Sequence, residues 1–305
     1  MKKCKLLIIC IALLSSNLAL FSQPQAEVKN VGQTYIDSLG NEIALLPTPM
    51  RIVSLAPNVT ETVAALGALD RLVGRTDYCN FPAEVASLPS IGTLYNPSVE
   101  KLIALRPDLV LASSFVSDQL ITALQKASIK VVCINKQESF EGTYALIEDI
   151  ALIIGKEAEG QRLVDSMKRN VAKVLEASKD LSKPRVYYMV DFGSFDGTAT
   201  GDTFISQMIT MAGAINIAQD ATKWTYSKEL LVKQNPDLII VSPRWGETAE
   251  ETLSLFSTTK PYSDLSATKK GAFILVDSDM LSRQGPRSAD ALIALTKAIH
   301  PEVSL

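Results

Sequence analysis

Residues 98–113 read SVEKLIALRPDLVLAS and residues 227–242 read SKELLVKQNPDLIIVS, a match without gaps at an offset of 129. Each copy sets a glutamate, Glu100 or Glu229, two residues after a serine, and each closes on Pro-Asp-Leu, 107–109 and 236–238. A carboxylate in a first helical turn gains roughly 0.3–1 kcal/mol from the helix N-terminus. That would account for either glutamate alone. Two in register inside a repeat ask for more. Pro107 and Pro236 read as helix stops, with Asp108 and Asp237 organising the turn into a strand.

Other reactive constellations are scarce. The chain has no G-x-G-x-x-G after a strand, no G-x-x-x-x-G-K-[ST] and no G-x-S-x-G elbow. Its one histidine, His300, stands beside Pro301 in the last turn and reads as a helix-end cation. A Ser-His-Asp triad, an H-E-x-x-H zinc site and a multi-histidine metal site therefore find no support. Neither catalytic nor metal-ligating residues are assigned. Past the N-terminal stretch only Cys79 and Cys133 remain, which one bridge or two separate buried thiols would satisfy.

The elements that must place these residues alternate. RIVSL (51–55) reads as a strand, and Asn58 to Glu61 has capping-box spacing before a helix to Leu66-Gly67. LVG (72–74) reads as a strand, followed by a long loop and a helix opened by Asn96-Pro97. LVLAS (109–113), a helix over 117–128 and KVVCIN (130–135) complete the first set. From Glu157 to Leu181 an unbroken helical stripe carries Leu163, Val164, Met167, Val171, Val174 and Leu175. Alternation then resumes through RVYYMVD (185–191), a helix from Asp202 to Ala212, the second repeat, a helix from Glu247, FILVD (273–277) and a last helix from Ser288 to Ile299. Such alternation predicts an α/β fold with parallel sheets. The expected organisation is an N-terminal lobe over 30–155, a linking helix over 156–182 and a C-terminal lobe over 183–305.

Residues 1–22, with Lys2, Lys3 and Lys5 ahead of an apolar stretch, read as a secretory signal peptide. Cys10 follows bulky Ile9, so no lipid anchor is expected. Loss of 1–22 removes three lysines and no acids, moving the net charge from −3 to −6. That balance argues against nucleic acid as a partner.

The assembled segments RIVSLAPNVTETVAALG, RTDYCNFP, NPSVEKLIALRPDLVLA, SKELLVKQNPDLIIV and RQGPRSADAL resemble the substrate-binding proteins of ABC importers for cobalamin, haem and iron–siderophore complexes. The resemblance covers nearly all of 30–303. It implies two Rossmann-like lobes joined by one long rigid helix, with the ligand cleft between them. It also implies an extracytoplasmic, non-enzymatic monomer without cofactor, whose ligand is a cobalt or iron chelate: cobalamin first, iron–siderophore second, haem third. The implied partners are a symmetric dimeric permease with its cytoplasmic ATPase, docked through Glu100 and Glu229. An exported enzyme or a stand-alone scavenger on the same scaffold is the alternative.

Ligands of doubly wound sheets lie beyond the carboxyl ends of the strands. The loops there carry Asn58, Tyr78, Phe81 and Tyr95 in the first lobe and Phe192, Trp224, Trp245 and Arg283 in the second, and these are the expected ligand contacts. Trp224 matches a cleft tryptophan of cobalamin binders. Leu94 stands where those binders place an aromatic, a departure that Tyr95 would offset.

Overall fold

A computed structural model describes residues 34–113 and 116–305. The expected signal peptide, with Cys10, lies outside the described residues. An antiparallel hairpin of β1 (Thr34–Ile36) and β2 (Glu42–Ala44) leads in. Then β3 (Ile52–Ser54), α1 (Pro57–Ala65), β4 (Leu72–Gly74), α2 (Val99–Ala104), β5 (Leu109–Ala112), α3 (Asp118–Lys126) and β6 (Lys130–Cys133) alternate. Their strands pair in parallel in the order β4-β3-β5-β6. Two consecutive helices follow, α4 (Phe140–Ile153) and α5 (Glu157–Ser178).

The second sheet takes β7 (Arg185–Asp191), β8 (Gly197–Thr198), α6 (Phe204–Met211), β9 (Ile215–Asn216), α7 (Lys228–Gln234), β10 (Leu238–Val241), α8 (Ala249–Thr258), α9 (Ser266–Lys270) and β11 (Phe273–Leu275). The chain ends with α10 (Ser278–Ser282) and α11 (Ser288–Ile299). Without the antiparallel β8, the parallel order is β9-β7-β10-β11, which repeats β4-β3-β5-β6. The duplication in sequence is thus a duplication of topology.

The repeat holds atom by atom. Ser98 caps α2 by accepting from the Lys101 amide, and Ser227 caps α7 by accepting from the Leu230 amide. Both helices end on a left-handed residue at the same repeat position, Arg106 (φ 48°) and Asn235 (φ 43°). The aspartates do more than shape their own turns. Asp108 accepts from the Met50 and Arg51 amides at the head of β3, and Asp237 from the Arg185 amide at the head of β7. Each pins the neighbouring strand. The cap expected at Asn96-Pro97 is corrected to Ser98, because Pro97 is engaged in a β-bridge with Gly92 and the helix starts two residues later.

Period-two alternation sorts side chains into three apolar layers. Val53 and Val110 face an outer core under the first lobe, and Tyr187, Met189 and Ile239 an outer core under the second. Ile52, Leu109, Val186, Tyr188 and Ile240 face one inner core that both lobes share. Helix α5 packs on α4 at one side and on α11 at the other, with Val164, Met167, Val171 and Val174 buried in that inner core. It ends at Ser178 rather than Leu181.

Gly160 reads as a weak point of this helix on propensity alone, costing about 1 kcal/mol against alanine. A β-carbon there would lie 2.5 Å from the Ala151 β-carbon of α4, so the glycine sets the approach of the two helices. Gly160→Ala should therefore destabilise the protein by about 1–3 kcal/mol, the usual cost of overpacking. Urea unfolding checks the sign. A stabilised variant would mean that α4 moves aside freely.

Candidate ligand cleft and docking faces

Three of the expected aromatics meet. Tyr78 stands edge-on to Tyr95 at 6.5 Å between ring centroids and edge-on to Trp245, from the other lobe, at 6.0 Å. Trp245 is 88% exposed and is held from below rather than by its own packing. The preceding residue, Arg244, bonds Asp191 at 2.8 Å, pairs with Glu247 at 3.3 Å and lays its guanidinium over the Phe192 ring at 4.9 Å. Phe192 needs correcting as a ligand contact. It is only 5% exposed and packs against Phe256 and Tyr262 in the outer core, because the chain leaves the strand at Asp191 and the alternation of β7 no longer sets its direction. It is the platform under Arg244.

Trp224 stands apart from these rings among the described residues. It and Lys223 are both left-handed, at φ 59° and 61°, a conformation that costs roughly 1–2 kcal/mol for a residue with a β-carbon. The turn is held by Thr200, which accepts from the Trp224 amide, and by Asp202, which accepts from the Lys223 amide, both at 3.0 Å. Hydrogen bonds from Thr200 and then from the Lys223 amide hold the Asp202 carboxyl below its ordinary range. Strain kept by such scaffolding is commonly a mark of function. Trp224 also lies 129 residues after Tyr95, so the repeat extends back to one aromatic per lobe, five residues before each glutamate.

A cavity of about 480 Å³ lies between the lobes, lined by Asn58, Ser113, Asn135, Lys136, Arg283 and Gln284 among others. The Asn58 side-chain carbonyl accepts from the Ser113 hydroxyl at 2.8 Å and from the Val59 amide at 3.0 Å. Asn58 is not a helix cap. Pro57 starts α1 one residue earlier, and Glu61 turns inward instead of closing a capping box.

Arg283 lines the cavity but its donors are committed. They reach Glu61 at 3.0 Å, Asn80 at 2.6 Å, the Tyr78 carbonyl at 3.2 Å and Asp279 at 2.7 Å. As a contact for an anionic ligand it is corrected on that ground. Arg287 bonds Glu61 twice, at 2.8 and 2.7 Å, and covers the Phe81 ring at 4.2 Å. Phe81 is thus partly masked. Lys136 pairs with Asp149. Arg244, Arg283, Arg287 and Lys136 thus each have a carboxylate partner. Among the described residues no three His, Cys, Asp or Glu side chains gather as a metal site. His300 is buried at the end of α11 against the Gly213 carbonyl.

Glu100 and Glu229 are exposed in the first turns of α2 and α7. Hydrogen bonding to its own backbone amide, then to Ser227, holds the Glu229 carboxyl below the ordinary carboxylate range. Ile103 and Val232, three residues on, are exposed at equivalent positions.

The periplasmic binding protein family model matches residues 52–280. The chain belongs to that family. It is 34% identical, over 88% of its own length and 86% of the relative's, to the uncharacterized ABC transporter substrate-binding lipoprotein YvrC of Bacillus subtilis. It is 28% identical to a cobalamin-binding protein of Halobacterium salinarum, over 92% of this chain and 79% of that protein. The periplasmic heme-binding protein RhuT of Roseiflexus sp. RS-1 superposes with a TM-score of 0.73 at 25% identity, covering 82% of this chain and 98% of that one.

As a periplasmic binding protein the chain is a non-enzymatic, extracytoplasmic component of an ABC transporter, with a permease and an ATPase as its partners. The expected absence of a lipid anchor gains no support, since YvrC is a lipoprotein. Cys79 and Cys133 are both buried and unbridged. Burial, with the Asp37 charge adding, pushes the Cys133 thiol up to about 11.

Proposed function

We propose that this binding protein captures a cobalamin-type corrinoid between its lobes and delivers it, as a monomer, to a symmetric permease dimer through Glu100 and Glu229. The observation that carries the ligand reading is the pairing of the cleft cations. Arg244, Arg283, Arg287 and Lys136 are each neutralised by a carboxylate of this chain. What remains toward the cavity is the amides of Asn58, Asn135 and Gln284, the hydroxyls of Ser113 and Ser282 and one carboxylate, Glu138, which accepts from the Phe204 amide; among the described residues no unpaired cation lines it.

A corrinoid is a broad, flat chelate fringed with amides, which suits neutral donors and acceptors and an aromatic rim. An anionic siderophore favours converging, unpaired arginines, and ranks second. Haem favours an axial Tyr, His or Met; His300 is buried elsewhere, which leaves Tyr78 and Tyr95 at the mouth as axial candidates, and haem ranks third. The cobalamin-binding relative from Halobacterium salinarum supports placing cobalamin first.

Mixing the purified protein with cyanocobalamin, haemin or a ferric siderophore, desalting, and recording absorbance tests the order. A stoichiometric cobalamin spectrum should elute with the protein. Retention of haemin or siderophore with loss of cobalamin would overturn it.

A further inference from the structure

Glu61 sits in α1 of the first lobe, 3% exposed, and both its oxygens are bonded by arginines 222 and 226 residues further on, in the second lobe. Buried ions are costly unless each donor and acceptor is satisfied. Here the network closes on itself. Arg283 continues from Glu61 to Asn80 and the Tyr78 carbonyl, and also to Asp279, and the Asn80 amide returns to Asp279 at 2.9 Å. Arg287 continues from Glu61 onto the Phe81 ring.

One loop of the first lobe, Tyr78 to Phe81, is therefore gripped along its length by two guanidiniums of the second. The same loop carries the ring that meets Tyr95 and Trp245 at the cleft mouth. Replacing a buried ion pair by apolar residues is often neutral for stability, so the return on such a network is geometry. A planar guanidinium fork bonded at both ends fixes direction as well as distance.

We propose that Glu61, Arg283 and Arg287, with Asn80 and Asp279, are positioning residues that fix the Tyr78–Phe81 loop against the second lobe and so set the width of the cleft mouth before ligand arrives. The consequence for affinity rests on the corrinoid reading above; the fixing of the loop does not. Arg283 then acts through the loop rather than on the ligand.

Glu61→Gln removes the central charge, and Asn80→Ala removes only an exposed arm, leaving the buried ions intact. Hydrogen exchange of the ligand-free chain reads the loop directly. In both variants peptides over 78–82 and 279–284 should exchange about tenfold faster, while those over β5 stay unchanged. Stopped-flow binding of cyanocobalamin should show any loss of affinity in the association rate, which falls by the factor to which the competent fraction falls, at an unchanged dissociation rate.

Unchanged exchange in Asn80→Ala would overturn the proposal, even were Glu61→Gln unable to fold. A faster dissociation at unchanged association would also overturn it, by making these residues ligand contacts. Should the parent protein bind no cyanocobalamin, the corrinoid reading fails and the exchange result alone decides.

Discussion

The double change Glu100→Ala, Glu229→Ala is expected to abolish association with the cognate permease while leaving chelate affinity near that of the parent. The two carboxylates occupy the same turn of the same helix in a duplicated topology, each after a serine cap and each exposed. A two-fold partner presents one pocket twice, and a single-chain carrier meets it by presenting the same feature from each lobe. Each carboxylate removed leaves a partner cation without its charge-assisted hydrogen bonds, a loss of roughly 1.5–3 kcal/mol per site. Two contacts on one rigid body reinforce each other, so the single variants should weaken binding and the double should lose it. Added salt should weaken the parent complex as well. Permease pull-down and chelate titration on the same three variants decide. Normal permease binding by the double variant would reduce both residues to helix-end carboxylates.

Trp224→Ala should weaken chelate binding by about 1–3 kcal/mol, as truncating an aromatic anchor in a desolvated site does. The indole is presented on two successive left-handed residues whose strain the Thr200 and Asp202 hydrogen bonds hold in place. The same turn returns the Trp224 carbonyl to the Thr198 amide of β8, so it both joins the sheet edge and aims the ring. Calorimetry with the retained chelate measures the loss. Unchanged affinity would assign the ring to its own loop, with the rim left to Tyr78, Tyr95 and Trp245.

What could be read before the fold was known was whatever repeats locally. The strands were legible because parallel strands buried on both faces are written as apolar, β-branched runs, as in RIVSL and LIIVS. The α2 and α7 units were legible because they occur twice. Helix α4 escaped notice for the opposite reason. It is apolar on most sides, buried against α1 and α5, and so carries little of the stripe that betrays a surface helix.

Glu61 was misread because Asn58 and Glu61 have a cap's spacing, whereas its true partners lie more than 200 residues away, beyond any local signal. Arg283 and Phe192 share that difficulty. Their residue types suit a ligand, and only the fold shows that their donors and faces are already taken. Tyr95 is the converse case: its distance of 129 from Trp224 was on the page from the start.

The shared inner core also governs how the carrier fares once loaded. Neither half can open without stripping apolar cover from the other, so free energy gained from cargo at the cleft mouth is distributed through the whole molecule. At cargo concentrations a hundredfold above Kd that gain is about 2.7 kcal/mol. A loaded carrier is thereby protected from proteases at bonds of the shared core that its cargo never approaches, because cleavage there awaits an opening of that core.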